Sequence, residues 1–480
     1  MEDMTYTIKS SEMSAIDTNC EYHGLSRLQL MENAGRGLAE EIRKFGKDKK
    51  ILIFSGLGNN GGDAFVAVRH LRGFDITVFL LGKESEIKTD IAKRNFQLIK
   101  KVCRIKEIRN PDIELDDEFD IIVDAMLGTG VKGRLREPYS TAVELINSSD
   151  SFVVAVDVPT GLNPDTGEYD ICVIADVTIT FHKYKPGLLK ASNVAGKVIL
   201  KDIGIPEYLE KLAGPGDVHL AYKRRDDAHK GEHGRVLIVG GGEYTGAPAL
   251  AALAALHSGA DIVTLAVPES IKDIVAGFSP NLIVRGLKGS RISESNIQEI
   301  DELIKKHDVL VMGMGIGDKD FVEISEEILK GSVRRAVLDA EAITKDVPEN
   351  VKCIITPHFG EFKRVFGRTP ENEDEVKSFA KKHGITILLK SKKDIISDGE
   401  KIRVNESGNS GMTVGGTGDV LAGIVGALFC HADPLWSASA SAFINGLAGD
   451  ICFEEFGYNY TALDMLRKIP LAIKRSIEFL

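Results

Sequence analysis

Short and almost uninterrupted runs of Val, Ile and Leu recur along the chain, and each ends in a glycine-rich or polar turn. In the first half they occupy residues 51–55, 76–81, 121–124 and 152–157. In the second half they occupy residues 235–239, 262–266, 309–312, 336–338, 354–356 and 385–389. Such runs are typical of parallel strands covered by helices on both faces, because neither face then meets water. The pattern predicts an α/β fold with parallel sheets in both halves.

The strand signals stop between the halves, over residues 208–230, and restart at Arg235. A chain of 480 residues is long enough for two or three domains with separate cores. We therefore expect a first domain over residues 1–212, a linker over 213–225 and a second domain over 226–480. In open parallel sheets, ligands bind beyond the carboxyl ends of the strands, so the chemistry is expected there.

Composition narrows the class of partner. The formal net charge of −11 argues against nucleic acid and against anionic membranes as main partners. The six cysteines are scattered without a CxxC pair, which indicates a reducing compartment and no zinc or disulfide framework. The longest apolar stretch is interrupted by His257 and Asp261, so no membrane span is predicted. We expect a cytoplasmic homo-oligomer that acts on small molecules.

The segment from Asn409 to Asp419, NSGMTVGGTGD, directly precedes an apolar helix. Gly415, Gly416 and Gly418 lack Cβ atoms, so backbone N–H groups can approach a phosphate closely. The positive end of the helix that follows points at the same place. The segment predicts a phosphate site in which Asp419 takes a proton from a hydroxyl; the alternative is a flexible loop or a helix cap.

Two polar loops follow strands in the first half. The first, GNNGGD, ends in Asp63, which is expected to cap the next helix. The second contains the GxGxxG pattern of a dinucleotide site, but Arg134 and Pro138 interrupt the helix that should follow it. Lys132 and Arg134 in this loop indicate an anionic ligand.

Three further residues stand at neighbouring strand ends of the first half. Asn60, Asp124 and Thr160 offer hard oxygen ligands for one cation. Asp157 stands at the end of another buried run, where it could transfer protons. Each of these residue types is also common in structural turns, and it is their convergence that predicts a site. The basic segment FHKYKPG, residues 181–187, suits either a phosphate contact or a solvated turn.

The motifs GNNGGDA, DAMLGTGVKGR, DVPTG and FHKYKPG together resemble the NAD(P)H-hydrate epimerase family over residues 1–212. The resemblance implies a Rossmann-like fold, a potassium ion held by Asn60, Asp124 and Thr160, and Asp157 as a catalytic residue at the nicotinamide end. The implied substrate-binding residues are Asn59, Asn60, Gly61, Gly62, Asp63, Gly128, Thr129, Gly130, Val131, Lys132, Gly133, Arg134, Tyr139 and Asp157. Two positions depart from the family pattern: Ala64 replaces a usual glycine, and Thr160 replaces a usual serine.

The motifs NSGMTVGGTGDVLAG and TPHFGEF resemble the NAD(P)H-hydrate dehydratase family, a ribokinase-like branch, over residues 226–478. The resemblance implies ADP as phosphoryl donor, accompanied by Mg²⁺, and Asp419 as the catalytic base. The implied ADP-binding residues are Lys390, Ser391, Lys392, Lys393, Asp394, Asn409, Ser410, Gly411, Met412, Thr413, Val414, Gly415, Gly416, Thr417 and Gly418. The implied substrate-binding residues are Ala247, Gly315, His358, Phe359, Gly360, Glu361, Phe362, Lys363, Arg364 and Asp419. Ser410, Phe359 and Asn445 depart from the family pattern.

The substrates that the two resemblances imply are the hydrates of NADH and NADPH, NADHX and NADPHX. Their hydroxyl sits on the carbon next to the ring nitrogen and is a poor leaving group until it is phosphorylated. Asp419 is expected to deprotonate that hydroxyl, while glycine N–H groups stabilise the transferred phosphoryl group. ADP would give AMP and phosphate. The first domain would convert the epimer that the dehydratase rejects.

Three other functions remain open at this point. The GTGD motif also occurs in small-molecule kinases of the ribokinase-like fold, so the second domain could phosphorylate a vitamin or a sugar. The first domain could be a binding module without catalysis. Its GTGVKG loop could also belong to a hydride-transfer dinucleotide domain.

Overall fold

A computed structural model of the chain describes residues 6–46, 48–115, 117–130, 133–225 and 227–479. The chain forms two compact units, Met1–Glu210 and Lys211–Leu480. Each unit is built on one sheet that is wholly or mainly parallel, so the α/β expectation is confirmed. Within the described ranges, no helix has the length and apolarity needed to cross a membrane.

Within the described residues, unit 1 contains seven strands and eight α-helices, the last of which ends at Lys211, one residue beyond the unit. The strands are β1 (Lys50–Ser55), β2 (Asp75–Leu81), β3 (Arg104–Ile108), β4 (Ile121–Ala125), β5 (Phe152–Val156), β6 (Val177–Phe181) and β7 (Lys197–Lys201). The helices are α1 (Ser10–Tyr22), α2 (Arg27–Ile42), α3 (Asn59–His70), α4 (Asp90–Ile99), α5 (Tyr139–Asn147), α6 (Pro186–Lys190), α7 (Ser192–Ala195) and α8 (Glu207–Lys211).

The strands of unit 1 lie in the order β3-β2-β1-β4-β5-β6-β7, and all neighbours are parallel. This arrangement confirms the Rossmann-like expectation. Ile51 and Ile53 of β1 pack with α2, α3 and α4, whereas Leu52 and Phe54 pack with α5 on the other face. The direction of winding reverses between β1 and β4, which opens a crevice at their carboxyl ends.

Unit 2 contains nine strands and ten further helices. The strands are β8 (Arg235–Val239), β9 (Ile262–Pro268), β10 (Ile283–Leu287), β11 (Val309–Met312), β12 (Arg335–Leu338), β13 (Lys352–Ile355), β14 (Thr386–Leu389), β15 (Asp394–Ser397) and β16 (Ile402–Asn405). The helices are α9 (Pro215–Ala221), α10 (Gly246–His257), α11 (Lys272–Ala276), α12 (Ile297–Ile304), α13 (Phe321–Leu329), α14 (Phe359–Phe366), α15 (Glu373–His383), α16 (Thr417–Leu428), α17 (Pro434–Phe456) and α18 (Ala462–Ile477).

The order of the second sheet is β10-β9-β8-β11-β12-β13-β14-β15-β16, which is parallel from β10 to β14 and antiparallel from there on. Its winding reverses between β8 and β11. The apolar runs identified ten of the sixteen strands of the described residues and missed β3, β6, β7, β10, β15 and β16. β3, β7 and β10 stand at sheet edges and are half exposed, so they do not form continuous apolar runs. β6 is buried, but threonine interrupts its apolar residues, and β15 and β16 form the antiparallel end of the second sheet.

The division between the units lies after Glu210, earlier than the linker expected over residues 213–225. Residues 215–221 form α9, whose Val218 and Ala221 pack in one cluster with α17 and α18. Asp217 of this helix is fully buried and forms a bidentate ion pair with Arg403, at 2.9 and 2.7 Å. Ser439 donates a further hydrogen bond of 2.6 Å to Asp217. Polar glycine-rich composition indicated a linker here, but this buried pair makes α9 part of unit 2.

We predict that Asp217→Ala lowers the free energy of unfolding of unit 2 by about 3–5 kcal/mol, because it leaves the buried Arg403 without a counter-charge. Trp436 is the only tryptophan of the chain, and the Arg403 guanidinium lies 5.5 Å from its ring centre, so urea unfolding followed by Trp fluorescence reports this unit. The control is Glu478→Ala, which removes an exposed pair with Lys474 and should change stability by less than about 1 kcal/mol. Equal losses in the two variants would contradict the prediction.

Candidate functional site

The loop after β1 leads straight into α3, and α3 begins at Asn59. Gly58 occupies the N-cap position and no side chain caps the helix. The expectation that Asp63 caps α3 is therefore wrong, because the helix begins four residues earlier and Asp63 lies inside it. Gly61 must be glycine, since a Cβ atom there would lie 2.3 Å from the carbonyl oxygen of Gly56. The motif thus brings the first turn of α3 tightly against the end of β1.

A cavity of about 970 Å³ lies within unit 1, at the carboxyl ends of β1, β4 and β5. Its volume is at the upper end of the range for small-molecule sites. Ten of the residues expected to bind substrate line it: Asn59, Asn60, Asp63, Gly128, Thr129, Gly130, Gly133, Arg134, Tyr139 and Asp157. Gly61 and Gly62 are buried in the first turn of α3. Val131 and Lys132, also expected in the site, lie outside the described residues.

The structure brings two of the three expected potassium ligands into contact. The Thr160 hydroxyl donates to Asp124 Oδ1 at 2.7 Å, and the Thr160 N–H donates to Oδ2 at 2.7 Å. Burial raises the pKa of Asp124 to about 6, although these hydrogen bonds and that from the Met126 N–H oppose the rise.

Asn60, the third expected ligand, lies beside Gly128, and its Nδ2 is buried without a hydrogen-bond partner. Amide orientation is assigned from such partners, and in the opposite orientation the side-chain oxygen of Asn60 occupies this buried position. The donor set of one amide, one hydroxyl and one carboxylate then fits a hard monovalent cation. Among the described residues, no group of three His, Cys, Asp or Glu side chains forms an alternative metal site.

Asp157 follows β5 in a left-handed backbone conformation, with φ of 63°. Its Oδ1 accepts hydrogen bonds from Thr180 Oγ1, at 3.0 Å, and from the ammonium group of Lys185. Lys185 is only 1 % exposed and also donates to the carbonyl oxygen of Phe181 at 3.0 Å. The segment 181–187 therefore does not form a solvated basic turn at Lys185 but places this buried cation beside Asp157.

The sequence interpretation missed four charged residues of this cavity, which are Asp17 on α1, Arg27 on α2, Lys88 and Arg136. Burial raises the pKa of Asp17 to about 6, and the nearby charges of Arg27 and Lys185 oppose the rise. One signal was present: Asp17 shares a helical face with the buried Met13 and Cys20, at spacings of four and three residues. A carboxylate on an apolar stripe of a helix is a candidate functional group.

In unit 2, the glycine-rich loop ends at Gly416, which caps α16 with φ of 99°. Asp419 is the third residue of this helix and lies in its first turn. Asn409 anchors the other end of the loop, since its Oδ1 accepts from Gly411 N at 3.0 Å and from the Tyr460 hydroxyl at 2.8 Å. Its Nδ2 donates to Asp450 of α17 at 3.0 Å. The loop is thus held at both ends, while residues 413–415 stay exposed.

Asp419 has the titration behaviour of a general base that works near neutral pH. Burial raises its pKa to about 7, and the neighbouring carboxylate of Asp339 raises it further, whereas Lys390 opposes the rise. A base whose pKa lies near the working pH is partly deprotonated and still binds a proton well, and both properties are needed for proton removal.

Lys390 connects three parts of the site. Its ammonium donates to Asp339 Oδ1 at 2.8 Å and lies 3.8 Å from Glu361 Oε2. It also lies 3.5 Å from the position that a Cβ atom on Gly418 would take. Burial alone would lower the pKa of Lys390, but the carboxylates of Asp339 and Glu361 raise it overall. A fixed positive charge therefore stands beside the glycine loop and Asp419.

The segment TPHFGEF mainly builds the start of α14. His358 Nδ1 accepts hydrogen bonds from the N–H groups of Gly360, at 2.9 Å, and Glu361, at 3.2 Å, so this histidine caps the helix. The ring of Phe362 is fully buried against Phe366 and Phe379. Its side chain serves the core, because it lies on the apolar face of α14. Phe359, Lys363 and Arg364 lie on the more exposed side of α14.

The loops after β8 and β11 are joined where the winding of the sheet reverses. Gly241 N donates to Met314 O at 2.8 Å, and Tyr244 N donates to Gly315 O at 3.1 Å. A Cβ atom on Gly315 would lie 3.1 Å from Cβ of Ala247, so these two expected substrate-binding residues are neighbours.

The expected ADP-binding turn after β14 is held by Asp394, which accepts from Ser391 N and from Asn405 Nδ2, both at 3.0 Å. Ser391, Lys392 and Lys393 remain exposed on this turn.

Two family models match the chain, one in each unit. The model for the YjeF-related protein N-terminus matches residues 27–187, and the model for NAD(P)H-hydrate dehydratase matches residues 236–471. Unit 2 has a mainly parallel sheet packed on both faces, as expected for an α/β domain.

Relatives match over nearly the whole chain. A protein of Archaeoglobus fulgidus named "Bifunctional NAD(P)H-hydrate repair enzyme Nnr" is 59% identical over 98% of this chain and 99% of its own length. Proteins of the same name from Hyperthermus butylicus and Methanothermobacter thermautotrophicus are each 42% identical, over 98% and 97% of this chain and 93% and 95% of their own lengths.

We predict that Asp419→Asn stabilises unit 2 at pH 8. The pKa of Asp419 is about 7 in the folded protein and near 3.8 in the unfolded chain, so its contribution to stability is full below pH 4 and is lost as pH rises through 7. The ionised form then costs on the order of 3 kcal/mol at pH 8. Thermal unfolding followed by Trp436 fluorescence should show a midpoint several degrees higher for the variant at pH 8, and no difference near pH 4.

The matched control is Glu349→Gln, which neutralises an exposed carboxylate of the same unit and should shift the midpoint little at either pH. A stabilisation by Asp419→Asn that did not depend on pH would show that ionisation is not its cause.

Proposed function

Because this chain belongs to the family of bifunctional NAD(P)H-hydrate repair enzymes, we propose that it restores hydrated NADH and NADPH in two steps, one in each unit. Unit 1 interconverts the R and S epimers of NADHX and NADPHX. Unit 2 dehydrates the S epimer and converts ADP to AMP and phosphate. The observation that carries the proposal is the position of Asp419 in the first turn of α16, directly after the glycine loop and beside Lys390.

The dehydration step uses the groups around Asp419. Asp419 removes the proton of the substrate hydroxyl, and the resulting oxygen attacks the β-phosphoryl group of ADP. The N–H groups of residues 415–418, the positive end of α16 and the Lys390 ammonium stabilise charge on the phosphoryl oxygens. The phosphate then leaves as the ring nitrogen lone pair forms a C=N bond, and loss of a ring proton restores the reduced nicotinamide.

The nucleotide is proposed to lie along the two loops that border this centre. Residues 409–418 form one border, and the turn at residues 390–394 forms the other. Mg²⁺ accompanies the nucleotide and neutralises its phosphates. Substrate contacts are proposed for Ala247, Gly315, His358 and the exposed side of α14.

In unit 1, the substrate is proposed to occupy the cavity of about 970 Å³, with its nicotinamide end near Asp157. The hydroxylated carbon can lose its oxygen with help from the ring nitrogen and regain it on the other face. Asn60, Asp124 and Thr160 would hold a potassium ion, which would supply positive charge beside the loop at residues 128–134 for a phosphorylated ligand. The homo-oligomeric state and the cytoplasmic location stay predictions.

We predict that Asp419→Asn lowers the rate of ADP-dependent dehydration by at least about 10²-fold, because no group remains to take the hydroxyl proton. Epimer interconversion should remain at the wild-type rate, because its cavity lies within unit 1. The assay mixes both epimers with ADP and follows the absorbance of reduced nicotinamide, while chromatography follows the epimer ratio. Glu349→Gln is the control and should match the wild type in both reactions.

The same assay separates the rival functions. A small-molecule kinase would accumulate a phosphorylated product and restore no reduced nicotinamide. If unit 1 is not catalytic, the epimer ratio should change only at the spontaneous rate. Wild-type recovery of NADH by Asp419→Asn would show that another group is the base.

We predict that K⁺ stabilises unit 1 through Asn60. Replacing tetramethylammonium chloride by KCl should raise the thermal midpoint of unit 1 in the wild type but not in Asn60→Ala, because the variant lacks one oxygen ligand. Calorimetry shows both transitions of the full chain, and Trp436 fluorescence identifies the one that belongs to unit 2. Asn110→Ala, at an exposed asparagine, is the control and should respond like the wild type. An equal response of all three proteins would exclude this site.

A further inference from the structure

Three carboxylates from separate elements line the cavity of unit 1 around Lys185. Asp17 comes from α1, Asp63 from α3 and Asp157 from the loop after β5. Asn60 lines the same cavity and presents a buried amide without a partner, which indicates a site that is completed by a ligand. Of the three carboxylates, the sequence singled out Asp157 for proton transfer.

The surroundings of Asp157 make it a fixed negative charge. Its Oδ1 is held by Lys185 and Thr180, and Lys185 is too deeply buried to reach water. The ion pair holds the Asp157 carboxylate in place, and a carboxylate in this position favours a positive charge on the ligand.

Asp17 has the opposite surroundings. Its carboxyl group makes no hydrogen bond within the described part of the chain, yet it lines the cavity and is mostly buried. Arg27 of α2, Lys185 and His182 of the segment after β6, and Asp157 all act on it electrostatically, as does Asp63 of α3. Burial outweighs the cations and brings its pKa to about 6. Such a group can hold a proton near neutral pH and also release it.

Asp63 is a second carboxyl group whose side chain makes no hydrogen bond within the described residues. Burial raises its pKa well above the ordinary value, and the charges of Asp157 and Asp17 raise it further.

We propose that Asp17 is the proton-transfer residue of unit 1 and that the Asp157–Lys185 pair is a fixed charge that stabilises the cationic intermediate. This assignment rests on the proposed epimerase function. In the first step, protonated Asp17 gives its proton to the hydroxyl of the substrate. The C–O bond breaks, the lone pair of the ring nitrogen forms a C=N bond, and water leaves.

In the second step, water adds to the opposite face of the same carbon. The C=N electron pair returns to the ring nitrogen, and the added water gives a proton to the Asp17 carboxylate. The cycle consumes no proton, oxidant or second substrate. The intermediate carries one positive charge next to the Asp157 carboxylate, where preorganised charge is most effective.

The test is the pH dependence of epimerisation by the full-length protein, with the spontaneous rate subtracted at each pH. The wild-type rate should fall as pH rises through about 6, because the protonated form of Asp17 is needed for C–O cleavage. Asp17→Asn should lower the rate at pH 6 by at least about 10²-fold and remove this dependence. Asp17→Glu, which keeps an acid, should retain it at a reduced rate.

Asp157→Asn should also lower the rate but should keep the pH dependence, because it removes a fixed charge and not the acid. Asp150→Asn, at an exposed carboxylate outside the cavity, is the matched control. Dehydration of purified S epimer by unit 2 of each variant shows that the protein is folded, and the thermal transition of unit 1 shows that its own domain is intact.

Each outcome decides between distinct alternatives. An Asp17→Asn variant that keeps the wild-type rate and pH profile overturns the assignment, as does loss of the pH dependence only in Asp157→Asn, which would make Asp157 the acid. A wild-type protein without epimerase activity overturns the proposed function of unit 1, and the assignment of Asp17 with it.

Discussion

Burial of both sheets on both faces is the constraint on which the two sites depend. Within each sheet, the backbone N–H and C=O groups are hydrogen-bonded to neighbouring strands, and apolar side chains cover both faces. Polar side chains therefore collect where the strands end. The winding reverses between β1 and β4 in unit 1 and between β8 and β11 in unit 2. In unit 1 the loops that follow the reversal separate, and the cavity between them holds the candidate chemistry. In unit 2 the loops after β8 and β11 are joined by hydrogen bonds, and the candidate chemistry lies beside them, on the loop before α16 and at the ends of β12 and β14.

Both units use a similar charge arrangement at this place. In each, a lysine is paired with an aspartate at a strand end: the buried Lys185 with Asp157, and the partly buried Lys390 with Asp339. A separate carboxylate nearby has a raised pKa, Asp17 in one unit and Asp419 in the other. Burial is the main reason that the pKa of each of these acids is raised, so the protein loses folding stability when they are ionised. That loss is typical of groups retained for proton transfer.

Local motifs describe the candidate sites most completely where one continuous segment builds them. The loop before α16 has its chemistry encoded in consecutive residues, since glycine, the helix start and Asp419 follow one another. Motifs were less reliable about what individual side chains do. His358 belongs to a family motif, yet it caps α14, and Phe362 of the same motif packs in the core. Which of these adjacent residues faces the core depends on the periodicity of the helix, and this cannot be read from the motif alone.

The sequence by itself determined the α/β class, the two resemblances and the strand ends at which chemistry was expected, because apolar runs and glycine loops are local in the chain. Only the tertiary structure decided which distant residues meet. It placed Asp17 of the first helix opposite Asp157 and Lys185, and it made residues 215–221 part of unit 2 through the buried pair of Asp217 and Arg403. Burial and the distance between charges set the roles of these residues, and both arise only when segments far apart in sequence pack together.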